Sequence, residues 1–323
     1  TDQPLELVDL PRPEPGPGEV LIRVAAGGVC HTELDEIEGR TAPPKFPVVP
    51  GHEVIGFVER CGTDARRLQA GDRVGVGWIH SSSGERDENV SSQFRATGRD
   101  VNGGYAEFMT VPEDYAYPIP PVFSDFEAAP LMCAGGIGHR ALNLTNLKDG
   151  QRLGLTGFGG SAHLVLQLAK HRFPRSSVYV FARDRDQQEF ALSLGAAWAG
   201  DTAARSPEAL HAVIDTTPVW KPVVEALKNL LPGGRLVINA IRKEDVDKEY
   251  LQQLSYHEHL WMEREIKSVA NITQFDLREF LPLAAEIPIK PEVQVYDLAD
   301  ANRALTELRR GKIRGTKVLR VTD

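Results

Sequence analysis

The chain has 323 residues, with 37 Lys+Arg against 45 Asp+Glu, a formal charge of −8 and 41% hydrophobic residues. That length predicts two domains, and the acidic balance argues against nucleic acid or an anionic membrane as the main partner. The three cysteines, Cys30, Cys61 and Cys133, are too few for a disulfide scaffold or a four-cysteine metal site, and so low a count suits a reducing, cytoplasmic setting.

In chain order, Leu5–Val8 reads as strand-like and begins close to Thr1 without an initiator Met, so a longer natural N-terminus is expected. Pro11–Gly18 is a stiff, turn-rich segment leading into the β-branched run Glu19–Ala25. Pro50–Val58 and Ala70–Val74 each pass from a turn into a strand. Short strands punctuated by Gly and Pro predict a β-rich, barrel-like first part. From Gln151 the pattern alternates: strands at Arg152–Thr156, Val178–Phe181, Ala212–Ile214 and Arg235–Ala240, and helices at Ala162–Lys170, Gln187–Leu194 and Val223–Leu231. Such alternation predicts a doubly wound parallel sheet. Pro232-Gly233-Gly234 is expected to stop a helix and turn the chain. A last helix over Leu298–Arg309 and a strand over Lys317–Val321 are expected to return to the first part. No apolar run is long enough for a membrane span and no signal peptide is visible.

Gly157-Phe158-Gly159-Gly160-Ser161-Ala162 follows a strand and opens a helix. Gly157 permits the tight turn, Gly159 lets backbone approach a pyrophosphate, and Ala162 allows close helix–strand packing. The loop through Gly160 and Ser161 then offers helix N-terminal N–H groups to the phosphates. The second strand ends in Ala182-Arg183-Asp184, without an acid at the terminal position that would bond a ribose 2′-hydroxyl. Arg183 can grip a 2′-phosphate, which favours NADP over NAD, while Asp184 leaves NAD open.

Cys30, His52 and Cys133 are two thiols and an imidazole, a set suited to zinc with a fourth position open. Their strings Gly-Val-Cys-His-Thr, Gly-His-Glu and Leu-Met-Cys-Ala-Gly, with Ala70–Val74, Gly103–Glu107 and Gly157–Ala162, resemble those of the zinc-dependent medium-chain alcohol dehydrogenases, in that family's order from about residue 4 onward. The resemblance implies a Rossmann domain over 135–279 and a β-rich, GroES-like catalytic domain over 1–134 and 280–323. It implies one catalytic zinc per chain on Cys30, His52 and Cys133, with Glu53 able to swing onto the metal. It makes Thr32 the hydroxyl that bonds the substrate oxygen and begins a proton relay. Glu33 would orient His52, His31 and Arg314 would meet the cofactor pyrophosphate, and Trp78 would wall the substrate pocket. It implies a homo-oligomer, dimer or tetramer, acting on a small alcohol, aldehyde or ketone.

Two departures stand out. The stretch His80–Ser91, where many members hold a second, structural zinc, contains no cysteine, so no such zinc is expected. The relay's usual terminal histidine is replaced by Asp35, which either passes the proton to solvent itself or leaves the relay broken or rerouted, with His31 as a substitute. A zinc-free enone or quinone reductase on the same fold, and a non-catalytic dinucleotide-binding protein, remain as alternatives.

Overall fold

The computed structural model describes residues 3–287, 289–311 and 315–322. They divide into two compact units: residues up to Gly136 together with those from Asn271 onward, and Ile137–Ala270.

The first unit opens without regular structure. Leu5–Val8 is not a strand: Leu7 and Val8 are exposed, and the backbone N–H and C=O of Leu5 bond instead to the Asn302 side chain at 2.9 and 2.8 Å. A polar side chain thus takes the place of a strand partner. There follow β1 (Glu19–Val29), α1 (His31–Ile37), β2 (Val54–Cys61), β3 (Arg73–Val76), β4 (Ile79–Ser81), β5 (Arg95–Ala96), β6 (Phe108–Pro112), β7 (Ala116–Pro118) and α2 (Asp125–Ala128). β1 is buried along almost its whole length, because it pairs with β2, with β6 and with a strand from the end of the chain. Val20, Ile22, Val24, Val54, Val74 and Val111 form the core beneath these strands. Cys61, at the end of β2, packs on that core with its thiol directed to the Leu68 carbonyl at 3.3 Å.

α3 (Ala134–Leu144) leads into the second unit, with β8 (Arg152–Thr156), α4 (Ala162–Arg172), β9 (Ser177–Phe181), α5 (Arg185–Ser193), β10 (Trp198–Gly200), β11 (Leu210–Asp215), α6 (Lys221–Leu227), β12 (Leu230–Ile238) and β13 (Glu265–Ser268). All pairings are parallel and the order is β10-β9-β8-β11-β12-β13. This is the doubly wound arrangement whose direction reverses between β8 and β11. Pro232–Gly234 lies inside β12 rather than at a helix stop. The register jumps there from Leu210↔Leu230 to Ala212↔Arg235, and Gly233 has φ 71°, so the segment forms a bulge that leaves the ladder intact on both sides.

The chain returns through α7 (Gln274–Glu286), β14 (Val293–Asp297), α8 (Ala301–Arg309) and β15 (Thr316–Arg320). β15 pairs with β1 and β14, completing the order β14-β15-β1-β2-β3-β7 with β6 also on β1. α8 buries Ala301, Ala304, Leu305 and Leu308, an i, i+3, i+4, i+7 stripe. α7 belongs wholly to the first unit, where the sequence boundary at 280 would cut it. Its Phe280 ring sits so close to Gly135 that a Cβ there would collide with it.

The cysteine-free stretch Ser81–Ser91 is organised around Glu88, which is 0% exposed. Its carboxylate accepts from the Tyr115 hydroxyl at 2.8 Å, from the Gln274 backbone N–H at 2.5 Å and from Gln274 Nε2 at 3.3 Å. The Ser82 hydroxyl donates to the Glu88 carbonyl at 2.8 Å, and the Ser82 N–H to the Tyr115 oxygen at 3.1 Å. One buried carboxylate thus ties the loop to β7's approach and to the start of α7. Glu88→Ala orphans these donors and should lower stability by about 2–3 kcal/mol. A chemical denaturation midpoint unchanged from the wild type would show that the carboxylate does not hold the loop.

Candidate active site

β1 and β2 run antiparallel and place the first ligand candidates side by side. The Gly28 N–H donates to the Glu53 carbonyl at 2.7 Å, so Cys30, one step past β1, meets His52 and Glu53, just before β2. Two glycines permit this approach. A Cβ on Gly28 would strike the Glu53 carboxylate, and Gly51, at φ 100°, leaves room for the Tyr105 ring. Tyr105 locks the corner by donating to the Gly28 carbonyl at 3.0 Å. Cys133 arrives from the short buried turn Ala129–Met132, packed on β3, where a Cβ on Gly75 would meet Met132.

Cys30, His52, Glu53 and Cys133 each present one donor atom, and these atoms lie within 4.8 Å of one another. His52 and Glu53 are each 1% exposed, whereas both cysteines are half-buried, so the sulfur side is the accessible one. Glu33, 0% exposed, fixes the geometry with both oxygens: one accepts the Cys30 backbone N–H at 2.8 Å, the other pairs with His52 Nδ1 at 2.5 Å. That leaves His52 Nε2 buried and without a partner.

The titration behaviour reports the same crowding. The shared contact with Cys133 draws the Cys30 thiol well below its usual range, and the same contact, with burial, pushes Cys133 well above. Burial, and then Cys30, raise Glu53. Burial alone would lower His52, but Glu33 and Cys30 hold the imidazole above its usual range. A buried nest of two thiols, a carboxyl and an imidazole nitrogen without a partner fits a divalent cation of zinc's chemistry. Among the described residues no other group of this kind occurs.

The remaining candidates sit around this nest. Thr32 is buried, and its hydroxyl accepts a 3.6 Å contact from Cys30 Sγ. His31 is half-buried at the first position of α1. Asp35 is 0% exposed and engaged by Arg40 Nε at 2.8 Å. Trp78, half-buried, stands 6.3 Å from the His52 ring and edge-on to Phe94 at 5.3 Å. Arg99 lies over both indole and phenyl rings, at 5.6 and 5.7 Å.

Sequence reasoning missed Glu36. It lies in the same buried surround, 3% exposed, beside the Trp78 indole. Burial, reinforced by Glu33, pushes it up to about 8. The available signal was its spacing, one helical turn beyond Thr32 on α1.

In the second unit the loop after β8 turns at Gly157, φ 74°, whose N–H donates to the Phe181 carbonyl at 2.8 Å. A Cβ there would press on Thr216 and Thr217, whereas Gly159 faces open space. Gly160 and Ser161 continue the loop, the Ser161 hydroxyl accepting from Asn239 Nδ2 at 3.2 Å, and Ala162, 0% exposed, begins α4. Arg183 is exposed beyond β9, and Asp184 caps α5 by accepting the Asp186 N–H at 2.8 Å. Arg314 lies outside the described residues. No helix is long and apolar enough to cross a membrane among the described residues.

Known proteins resemble the chain along most of its length. Residues 16–121 match the alcohol dehydrogenase GroES-like domain family. The chain is 42% identical to the probable alcohol dehydrogenase AdhA of Mycobacterium tuberculosis over 98% of its own length and 92% of the relative's. It is 32% identical to an alcohol dehydrogenase of Geobacillus stearothermophilus, over 99% and 97%. Among solved structures it resembles a cobalt- and zinc-bound thermostable alcohol dehydrogenase of Pyrobaculum aerophilum, with a TM-score of 0.84 and 26% identity over 98% of this chain and 95% of that one. With a relative this close along nearly its whole length, the chain belongs to the zinc-type medium-chain alcohol dehydrogenases and is an oxidoreductase of that family.

Proposed function

We propose that the protein transfers hydride reversibly between NAD(P) and a small alcohol, aldehyde or ketone, using one zinc ion per chain. The observation that carries this reading is the buried Cys30–His52–Glu53–Cys133 nest with its orphan His52 Nε2. A zinc-free reductase or a non-catalytic binding protein would leave that nest without a role. When bound, the metal supplies Lewis-acid polarisation of the substrate oxygen and the nicotinamide supplies the hydride couple.

The chain's own residues do the rest. Cys30, His52 and Cys133 hold the metal, and Glu33 keeps His52 turned so that Nε2 faces it. Glu53, directly behind Gly28, is close enough to exchange onto the metal. Thr32 bonds the substrate hydroxyl and moves its proton, with no strong base needed at Oγ1. His31 takes the outward step, because the Asp35 carboxylate is engaged by Arg40. Trp78 and its partner Phe94 make an aromatic wall that limits substrate size.

The loop Gly157–Ala162 carries the cofactor pyrophosphate, aided by His31 and by Arg314. NADP is the preferred form. Arg183 stands exposed where the 2′-group would lie, and the Asp184 carboxylate that could favour NAD already caps α5. The enzyme acts in the cytoplasm as a homo-oligomer, a dimer or tetramer, with the catalytic unit formed by the residues up to Gly136 and from Asn271 onward and the cofactor unit by Ile137–Ala270.

Replacing Cys30 or Cys133 by Ser should remove zinc and lower kcat/KM by about a thousandfold or more. Metal analysis beside steady-state assay checks both, and full turnover without zinc would overturn the zinc mechanism. Arg183→Ala should reduce kcat/KM with NADP about 10–100-fold, the loss of one charge-assisted bond, and leave NAD nearly untouched. A wild-type preference for NAD would defeat the Arg183 assignment. Trp78→Ala should raise kcat/KM for bulky alcohols relative to small ones by about tenfold; an unshifted size profile across an alcohol series would count against the wall.

A further inference from the structure

We propose that Lys243 is a positioning residue for the nicotinamide cofactor: it neutralises the buried Asp215 carboxylate, so that the adjoining Gly157 turn can accept an anionic diphosphate. This rests on the alcohol dehydrogenase reading above and adds to it a residue, remote in sequence from the glycine motif, on which cofactor affinity depends.

The argument begins on the sheet. β8 and β11 are the neighbours at which the strand order reverses, and open parallel sheets bind ligands beyond the carboxyl ends of their strands at such a point. Thr156 and Asp215 end these two strands and face each other in register. Gly157 comes next on one side, and a Cβ there would press on Thr216 and Thr217, the two residues that follow Asp215 on the other. Asp215, 0% exposed, is therefore set beside the turn that would carry the diphosphate. The Thr156 and Thr217 hydroxyls donate to its Oδ1 at 2.5 and 2.8 Å, but neutral donors leave the negative charge in place. Lys243 supplies the compensating charge through an ion pair on Oδ2. In so buried a crevice an uncompensated carboxylate acts on a neighbouring anion with little solvent screening.

Lys243 acts through Asp215 rather than on the cofactor itself. An ammonium has three protons to donate, and three acceptors take them: Asp215 Oδ2, the Thr217 carbonyl at 2.7 Å and the Val219 carbonyl at 3.1 Å. The backbone around it is arranged to deliver it. Asn239, the first residue past β12, donates its N–H to the Asp215 carbonyl at 2.7 Å and its side-chain amide to the Ser161 hydroxyl of the glycine loop at 3.2 Å. The Glu244 N–H donates to the Pro218 carbonyl at 2.6 Å. The Asp247 carboxylate accepts the N–H groups of Trp220 at 2.9 Å and Lys221 at 2.7 Å, where α6 begins. The segment from Asn239 to Asp247 is thus a strap fastened at both ends across the loop after β11, with Lys243 between the fastenings. A lysine on an open loop would be a solvated charge; this one is held so that its charge goes to a single carboxylate beside the cofactor turn.

The test measures Kd for NADPH and NADH by fluorescence titration of the full chain, beside steady-state kinetics, zinc content and the thermal midpoint. Lys243→Gln removes the charge while its amide still donates to a carbonyl. It should raise Kd and KM for both cofactors about tenfold, with kcat at saturating cofactor, the KM for alcohol and the zinc content within about twofold of the wild type. Adding Asp215→Asn to the same chain removes the uncompensated carboxylate and should bring Kd back to within about threefold of the wild type. Lys243→Arg, which keeps the charge, should also stay within about threefold. A Lys243→Gln enzyme that binds both cofactors as tightly as the wild type overturns the proposal, whether or not its thermal midpoint falls, because a merely structural lysine would change stability alone. A double variant that binds no better than the single one overturns it too. If Lys243→Gln does not fold, the double variant and Lys243→Arg still decide, since a tenfold weakening in either is the overturning result. A wild-type enzyme that binds neither nucleotide overturns the underlying dehydrogenase reading instead, and this proposal with it.

Discussion

A carboxylate and an imidazole buried together must satisfy each other, and the active site follows from how Glu33 does so. With one oxygen on the Cys30 N–H and the other on His52 Nδ1, it ties the turn after β1 to the turn before β2. The first bond sets where the Cys30 sulfur begins, and the second sets which ring nitrogen of His52 remains for a ligand. Both glycines that narrow this corner, Gly28 and Gly51, serve the same closeness.

The loop at Ser81–Ser91 contains no cysteine and is held by hydrogen bonds. Glu88 plays the central part with three accepted bonds from Tyr115 and Gln274, while Ser82 closes the loop on itself. A carboxylate with several donors gathers distant segments around one charge. The groups that Glu88 gathers are neutral N–H and O–H donors.

The chain's alternation from Gln151 announced the parallel sheet, because helical and strand periodicities are local and survive without neighbours. Gly157–Ala162 was legible for the same reason: its glycines follow one strand and open one helix. The ends were less legible. Leu5–Val8 has the composition of a strand but finds Asn302 in place of a sheet edge, and Pro232–Gly234 has the composition of a stop but forms a bulge. Both outcomes are decided by residues far along the chain. The nest of Cys30, His52, Glu53 and Cys133 could be named from its motifs, whereas Glu36 had only its spacing from Thr32 to mark it, because a lone glutamate on a helix looks like any solvated acid until its burial is known. Asp35 shows the converse, a residue singled out by its place in a motif whose carboxylate meets Arg40.

The cofactor side adds a constraint of charge that glycine spacing does not reveal. The sheet reverses between β8 and β11, and at that crevice Asp215 ends β11 with 0% exposure. An unpaired carboxylate there would oppose any diphosphate on the neighbouring Gly157 loop. The structure neutralises it instead. Thr156 donates to it at 2.5 Å and Thr217 at 2.8 Å, and Lys243 forms an ion pair with its other oxygen. Lys243 also donates to the Thr217 carbonyl at 2.7 Å and the Val219 carbonyl at 3.1 Å, so its charge is spent within the crevice floor. The Thr216 hydroxyl, bonded to the Thr156 carbonyl at 2.9 Å, is one of the two groups that a side chain at Gly157 would press on. The glycine that lets the loop turn and the ion pair that keeps its surroundings neutral are therefore two parts of one arrangement, and only the first is written in contiguous sequence.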